Sequence, residues 1–219
     1  MSLSIRNLTI EFPDASLFVG VDLDVGPTEL VAIRSQVLDG GTSLLKGIAG
    51  FLKGVQGQVL LQGTDLLDGP PTEVIYRIGY VYEAQGLVSL FNVRENIALP
   101  LLFHSRSRPE EIEDRVNTIC DRIGLSNSVF GLKPHQLNDV QTRLVNLARA
   151  LVVRPMLLLV DELEGGMSEE YLEDTIDAIR EHQQAYPMPV IMTTMSDEIF
   201  SRADRVYRIQ DRNLIQGVA

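Results

Sequence analysis

The stretch from Ser35 to Thr42 has the spacing of a phosphate-binding loop, G-x-x-x-x-G-K-[ST]. In that motif backbone N–H groups surround the phosphates, the lysine reaches the terminal phosphates, and the final hydroxyl binds Mg²⁺. The stretch keeps the second glycine, Gly40, and the hydroxyl of Thr42, but it has serine at the first glycine and Gly41 at the lysine. Asp39 adds a negative charge where phosphate oxygens would lie. Taken alone, the stretch is explained better by an ordinary strand, loop and helix with a glycine at the turn.

The elements around this loop have the patterns that would position it. An apolar strand, Leu30–Ile33, leads into the loop, and a helix with apolar residues at helical spacing follows it. Farther along, the apolar run Met156–Val160 is typical of a central strand buried on both faces, and it ends in Asp161 and Glu162. Two acids at the end of a strand are also expected simply because chains leave sheets into solvent.

Composition limits the classes of protein to which the chain can belong. Its 219 residues, 45% of them hydrophobic, suffice for one sizeable domain or two lobes with a shared core. A net charge of −11, without a compensating basic run, argues against nucleic-acid binding. The single cysteine, Cys120, excludes an internal disulfide and is expected to be a packing residue. Because we find neither a signal-peptide core nor a membrane-spanning apolar run, we expect a cytoplasmic protein.

The remaining patterns predict a mixed architecture. Apolar and polar residues alternate at Leu3–Ile10, Leu17–Val25 and Gly57–Gly63, which predicts an antiparallel sheet beside the core that carries the loop. After it, apolar strands alternate with helices, which predicts a parallel sheet with crossover connections.

Helical spacing between about residues 84 and 135 indicates an insertion. We therefore interpret residues 1–219 as one domain, in which 1–83 and 136–219 form the core and a β subdomain, and about 84–135 form a helical subdomain.

The order of these pieces resembles the nucleotide-binding subunit of ATP-binding cassette (ABC) transporters over nearly the whole chain. The segments that carry the resemblance are, in order, ELVAI with LLKGIAG, GQVLLQGTDL, IGYVYEAQGLVSLFNVRENIALPL, LNDVQTRLVNLARALVVRPMLLLVDE and MTTMSDEIFSRADRVYRI. They are similar to the Walker A segment, the strand after it, the Q-loop region, the signature through Walker B, and the switch region. The resemblance implies an α/β P-loop NTPase fold of the ABC ATPase type, with a mixed sheet core, an antiparallel β subdomain and a helical subdomain.

The resemblance also implies ATP and Mg²⁺ as cofactors and assigns roles to particular residues. The phosphate-binding positions are Gly40, Gly41, Thr42 and Ser43. The Mg²⁺ positions are Thr42, Glu83 and Asp161. Glu162 stands at the general base, and Asn138 and Gln141 belong to the signature segment, which in the family faces the γ-phosphate of ATP on the opposing subunit.

Several positions depart from the family pattern. Besides Gly41, the signature LSGGQ reads LNDVQ, with Asp139 and Val140 at phosphate-facing positions, and Met195, or Thr194 with a shift of one, stands at the switch histidine. The three histidines lie elsewhere and are expected on the surface; they are His104, His135 and His182.

Three hypotheses follow. Because the substitutions cluster at phosphate-facing positions and spare the apolar framework, we favour an ABC subunit that binds ATP weakly or not at all and couples to a membrane permease at the inner face of the membrane. One alternative is an active ATP-hydrolysing subunit of an ABC transporter, such as one for lipids or lipoproteins. The other is a scaffold or regulatory protein that takes no part in transport. A monomer, a homodimer and a heterodimer with another ABC ATPase all remain open.

Overall fold

The computed structural model describes residues 2–36, 38–83, 86–105 and 107–217. Within these residues the strands form two sheets, and helices are interspersed between them along the chain. No helix in the described ranges has the length and apolar composition needed to cross a membrane.

The smaller sheet is antiparallel throughout. Its strands are β1 (Leu3–Phe12), β2 (Ala15–Val25), β4 (Val55–Leu61) and β5 (Thr64–Asp65), in the spatial order β2-β1-β4-β5. Asn7, at φ 49°, lies where the register of β1 against β2 shifts, so that the buried side chains pass from positions 3 and 5 to positions 8 and 10. The predicted antiparallel sheet is confirmed, although the short β5 had no signal in the sequence.

The larger sheet is mixed. Its strands are β3 (Leu30–Arg34), β6 (Ile78–Val81), β7 (Leu157–Asp161), β8 (Val190–Thr194), β9 (Arg205–Gln210) and β10 (Asn213–Gln216), in the order β10-β9-β3-β8-β7-β6. All neighbouring pairs are parallel except β9 and β10, which form an antiparallel edge hairpin. This agrees with the predicted α/β architecture.

The helices are α1 (Gly41–Ile48), α2 (Thr72–Ile75), α3 (Val93–His104), α4 (Pro109–Arg122), α5 (Asp139–Leu151), α6 (Glu169–Ala185) and α7 (Asp197–Arg202). Side chains cap several of them. Asn92 and Glu95 form a capping box at α3, and the Ser168 hydroxyl accepts a hydrogen bond from the Tyr171 N–H at α6. Helices α3 and α4 follow β6 and precede α5, within the stretch predicted to be a helical insertion.

The larger sheet is buried on both faces because its strands alternate between two cores. In β3, Val31 and Ile33 pack with the antiparallel sheet and α1, whereas Leu30 and Ala32 pack with residues of the helices after α2. This explains why the central strands are apolar at every position. The sheet therefore holds its carboxyl edge, and the loops that leave it, in fixed positions.

Two predictions about single residues have different outcomes. Cys120 is fully buried, and burial raises the pKa of its thiol to about 12, which agrees with a packing role. His104 and His135 are exposed as expected, but His182 is not, because only 3% of its surface is accessible. His182 lies in the last turn of α6 and packs inward, three residues after the buried Ile179 and therefore on the same face of the helix.

Candidate functional site

A cavity of about 420 Å³ lies where the phosphate-binding loop leaves β3. It is lined by loop residues, the start of α1, Leu17 and two glutamates that follow β6 and β7; these are Ser35, Gln36, Leu38, Gly40, Gly41, Thr42, Ser43, Glu83 and Glu162. Ligands of parallel α/β sheets bind at this edge, where the carboxyl ends of the strands meet. Among the described residues that line the cavity, two are acidic and none is basic.

Ser35 and Gly41 lie against each other at the base of the loop. A Cβ atom at position 41 would lie 2.8 Å from the Ser35 Cβ, nearer still to its Oγ, and 3.0 Å from the Thr193 Cγ2. Ser35 is buried, with 3% of its surface accessible, and its N–H donates to the Thr194 carbonyl. The structure therefore has no room for a side chain at position 41 unless Ser35 changes.

The loop backbone is left-handed at two positions, and the side chain of Asp39 occupies one of its N–H donors. Leu38 and Gly40 have φ angles of 75° and 89°, in the left-handed region that glycine adopts easily and leucine does not. The N–H of Gln36 donates to the Asp39 Oδ2 at 2.8 Å. A carboxylate from the loop itself thus takes a backbone donor of the kind that would otherwise bind phosphate.

The Asp161 carboxylate is buried, with 2% of its surface accessible, and accepts hydrogen bonds from three hydroxyls. Thr193 and Thr42 donate to Oδ1 at 2.8 and 3.2 Å, and Tyr80 donates to Oδ2 at 3.4 Å. Burial, and secondly the charge of Asp161, raise the pKa of Tyr80, so its phenol stays protonated as a donor. The oxygens of Thr42 and Asp161 are close enough to share a Mg²⁺ ion, since neighbouring ligands of octahedral Mg²⁺ lie about 3 Å apart.

Glu162 follows β7 in a left-handed conformation, at φ 47°. Burial raises the pKa of its carboxyl, the nearby charges of Glu83, Asp161 and Glu164 add to that effect, and Arg143 opposes it. The Arg143 Nε donates to the Glu162 carbonyl at 3.3 Å, so this cation is bound to the backbone of the site. The arrangement places a proton-accepting carboxylate at the cavity, close to other negative charges.

Asn138 and Gln141, the predicted signature residues, lie outside this cavity and bind each other. The Gln141 N–H donates to the Asn138 Oδ1 at 2.8 Å, and the Asn138 N–H donates to the Gln141 Oε1 at 3.0 Å. This capping box satisfies the start of α5 with its own side chains.

Thr194 and Met195, which stand at the switch position, are both tied to Glu164. The Thr194 hydroxyl and the Met195 N–H donate to the Glu164 Oε1 at 2.6 and 2.8 Å. The sequence contains no signal for the contacts of Glu164, Tyr80, Thr193 and Arg143, since each forms them with residues far away in the chain. Phe12, the last residue of β1, is exposed and does not line the cavity.

Comparison with known proteins agrees with this architecture. A model of the family described as "ABC transporter" matches residues 18–164. The chain is 33% identical over 216 residues to the spermidine/putrescine import ATP-binding protein PotA of Nitrosospira multiformis, an alignment that covers 98% of this chain and 58% of that protein. It is 28% identical over 196 residues to the lipoprotein-releasing system ATP-binding protein LolD of Acinetobacter baylyi, covering 88% of this chain and 86% of the relative.

A solved structure shows the same fold. The dimeric ATP-binding cassette MJ0796, bound to ADP and phosphate, superimposes with a TM-score of 0.89 at 22% identity, over 98% of this chain and 97% of that one. The chain spans less than two thirds of the length of the polyamine import relative, at 58%, and nearly all of the cassette structure. Because the family model also matches well over half of the chain, the chain belongs to the ABC transporter family.

Proposed function

We propose that this chain is an ABC transporter ATP-binding subunit that binds ATP weakly or not at all, does not turn it over efficiently, and acts by coupling to a membrane permease. The observation that carries the proposal is the packing of Ser35 against Gly41, because the buried serine takes the space that the Cβ atom of a lysine at position 41 would need.

The charges of the cavity support this proposal. A hydrogen bond to a charged group contributes about 1.5–3 kcal/mol, and here the lysine that would form it with phosphate is missing. Glu83 and Glu162 line the cavity, and Asp39 takes the Gln36 N–H. The phosphate-binding loop therefore does not fit a tightly held triphosphate.

The Mg²⁺ positions fit their ion better than the loop fits phosphate. Thr42 and Asp161 offer hard oxygen ligands 3.2 Å apart, and Glu83 adds a carboxylate at the cavity. A bound Mg²⁺ would supply positive charge to a site whose described lining has none. Residual nucleotide affinity is therefore expected to require Mg²⁺.

A groove rich in aromatic residues supports the coupling role. A cavity of about 320 Å³ lies beside β6, α3 and α5, and its aromatic lining includes Tyr76, Tyr80, Tyr82 and Phe103. Phe103 is 75% exposed, and large exposed apolar side chains beside a groove mark surfaces for partner helices. We assign this groove to a cytoplasmic helix of the permease, which places the chain on the inner face of the membrane.

The proposed subunit acts in a dimer, with itself or with another ABC ATPase. The start of α5, which in the family faces the opposing subunit, carries Asp139 and Val140 beside Gly166. In such a dimer an acidic and a branched side chain would face the γ-phosphate of ATP on the opposing subunit. This again predicts weak nucleotide binding.

Two experiments test the proposal. A fluorescent ATP analogue titrated with Mg²⁺ into the purified chain should bind more weakly than about 100 µM and show no turnover; micromolar binding with hydrolysis would contradict the proposed loss of activity. Co-purification of membrane proteins with Phe103→Asp, compared with Phe12→Asp at an exposed position outside the groove, tests coupling. Loss of a permease only in F103D is expected, and equal recovery from both variants rejects the groove.

A further inference from the structure

A second polar cavity, of about 220 Å³, lies between α4, the end of α5 and the end of α6. Among the described residues, it shares no lining residue with the nucleotide cavity. Three arginines line it, Arg115, Arg122 and Arg154, together with His182 and Tyr186. In a chain with a net charge of −11, three guanidinium groups at one cavity are an unusual concentration of positive charge.

These arginines have few negative partners. In the described part of the chain none of the three forms an ion pair, and Asp114 is the carboxylate that lines the cavity with them. Glu111, which attracts Arg115, is itself paired with Arg108 at 2.8 Å. Burial, and next the charge of Arg154, lower the pKa of Arg115. The positive charge of Arg154 thus repels that of Arg115.

Arg154 extends the cluster into a neighbouring cavity of about 310 Å³, which Arg77 and Arg115 also line. The Arg77 guanidinium donates to the Arg154 carbonyl at 3.1 Å, and the Arg154 guanidinium lies 4.4 Å from the Tyr186 ring centroid. These contacts hold the guanidinium groups of Arg77 and Arg154 in place without neutralising their charges.

His182 supplies an independent observation. Arg122 donates to its Nδ1 at 2.9 Å, so in the neutral ring the proton is on Nε2. Burial, and secondly the charges of Arg122 and Arg154, lower the pKa of His182 to about 4, so the ring is neutral near pH 7. Yet Nε2 is buried without a hydrogen-bond partner among the described residues, which is unfavourable for a donor.

We propose that Arg115, Arg122 and Arg154, with His182, form a binding site for a small phosphate-type oxyanion, either the free ion or the head group of a phosphomonoester. Guanidinium forks match the oxygens of phosphate, and several donors around one cavity suit an anion with several acceptors. The proposed site uses none of the described residues that line the nucleotide cavity.

Titration of the full chain with inorganic phosphate, and separately with glycerol 3-phosphate, tests the site at constant ionic strength set with chloride. Calorimetry gives the affinity, and the proton resonance of the His182 ring, identified by its loss in His182→Gln, gives the location. The ligand that binds more tightly distinguishes the free ion from the ester.

The arginine variants decide the outcome. R115Q/R122Q should raise the Kd at least tenfold, whereas R208Q, which removes one exposed charge elsewhere, should leave it unchanged. If R115Q/R122Q does not fold, R154Q at an exposed side chain provides the same comparison. The site is rejected if neither ligand binds more tightly than chloride, if the His182 resonance does not move, or if R208Q weakens binding as much as the cluster variants.

Discussion

The Ser35 side chain occupies the volume next to Gly41 that a larger residue at position 41 would need. In the phosphate-binding motif the corresponding pair is a glycine and a lysine. Here the first position has a side chain, that of Ser35, and the seventh has none. The serine packs at the base of the loop where the first part of a lysine side chain would lie. Recovery of the lysine therefore requires two changes.

The first prediction concerns the stability of this pair. Gly41→Lys alone should lower the free energy of unfolding by about 1–3 kcal/mol, because its Cβ would lie 2.8 Å from the Ser35 Cβ. S35G/G41K should recover most of that loss. Denaturant unfolding of the wild type, S35G, G41K and the double variant gives the coupling energy. Additive effects of the two substitutions would show that the residues do not compete for space.

The second prediction concerns Leu38, which is 95% exposed and has a φ angle of 75°. A left-handed conformation costs a leucine about 1–2 kcal/mol, and glycine costs about 0.5–1 kcal/mol through the unfolded chain. Leu38→Gly should therefore leave stability unchanged or raise it by up to about 1.5 kcal/mol.

Leu90→Gly is the matched control, because Leu90 is 80% exposed and is not among the residues with positive φ. It should be destabilising. Thermal unfolding of the two variants checks the difference, and an equal loss in both would mean that Leu38 is not strained.

The third prediction concerns the hydroxyls around Asp161. The bond from Thr193 to the carboxylate, at 2.8 Å, is buried and charge-assisted. Thr193→Val should cost about 1.5–3 kcal/mol. The cost should be smaller when Asp161 is already asparagine. A double-mutant cycle of T193V and D161N measures the interaction, and a coupling energy near zero would contradict the assigned contact.

The fourth prediction is the pH dependence contributed by His182. Its pKa in the folded chain, about 4, is below the ordinary 6.5, so the unfolded chain binds more protons between these values. The free energy of unfolding should therefore fall as the pH decreases from 6.5 to 4, by about 3 kcal/mol from this group.

His182→Gln, which keeps an acceptor for Arg122, should remove that slope. Unfolding measured at several pH values in the two proteins isolates the effect. Parallel pH profiles would mean that His182 titrates normally in the folded chain.

Much of the fold was predictable because it rests on local pattern. Alternating apolar and polar residues predicted the antiparallel sheet. Fully apolar strands followed by helices predicted the parallel strands of the larger sheet beside it. The edge strand β10 was not predicted, because Asn213–Gln216 is too short to show a pattern of apolar residues. His182 was misjudged because an ionisable side chain in the last turn of a polar helix is usually exposed.

For the candidate site, the sequence predicted which residues to consider but not how they contact each other. Resemblance located the loop, Thr42, Asp161 and Glu162 along the chain, and the structure brings them to one edge of the sheet. It could not show that Ser35 and Gly41 compete for one volume, since that contact depends on backbone geometry. Nor could it show that Asn138 and Gln141 bind each other.

The most direct test of the account is an isothermal titration of Mg²⁺-ATP into the wild type and into S35G/G41K under the same conditions. Binding to the wild type should be weak or undetectable, and binding to the double variant should be at least tenfold tighter, since space and charge are restored together. Micromolar binding to the wild type that S35G/G41K does not improve would contradict it.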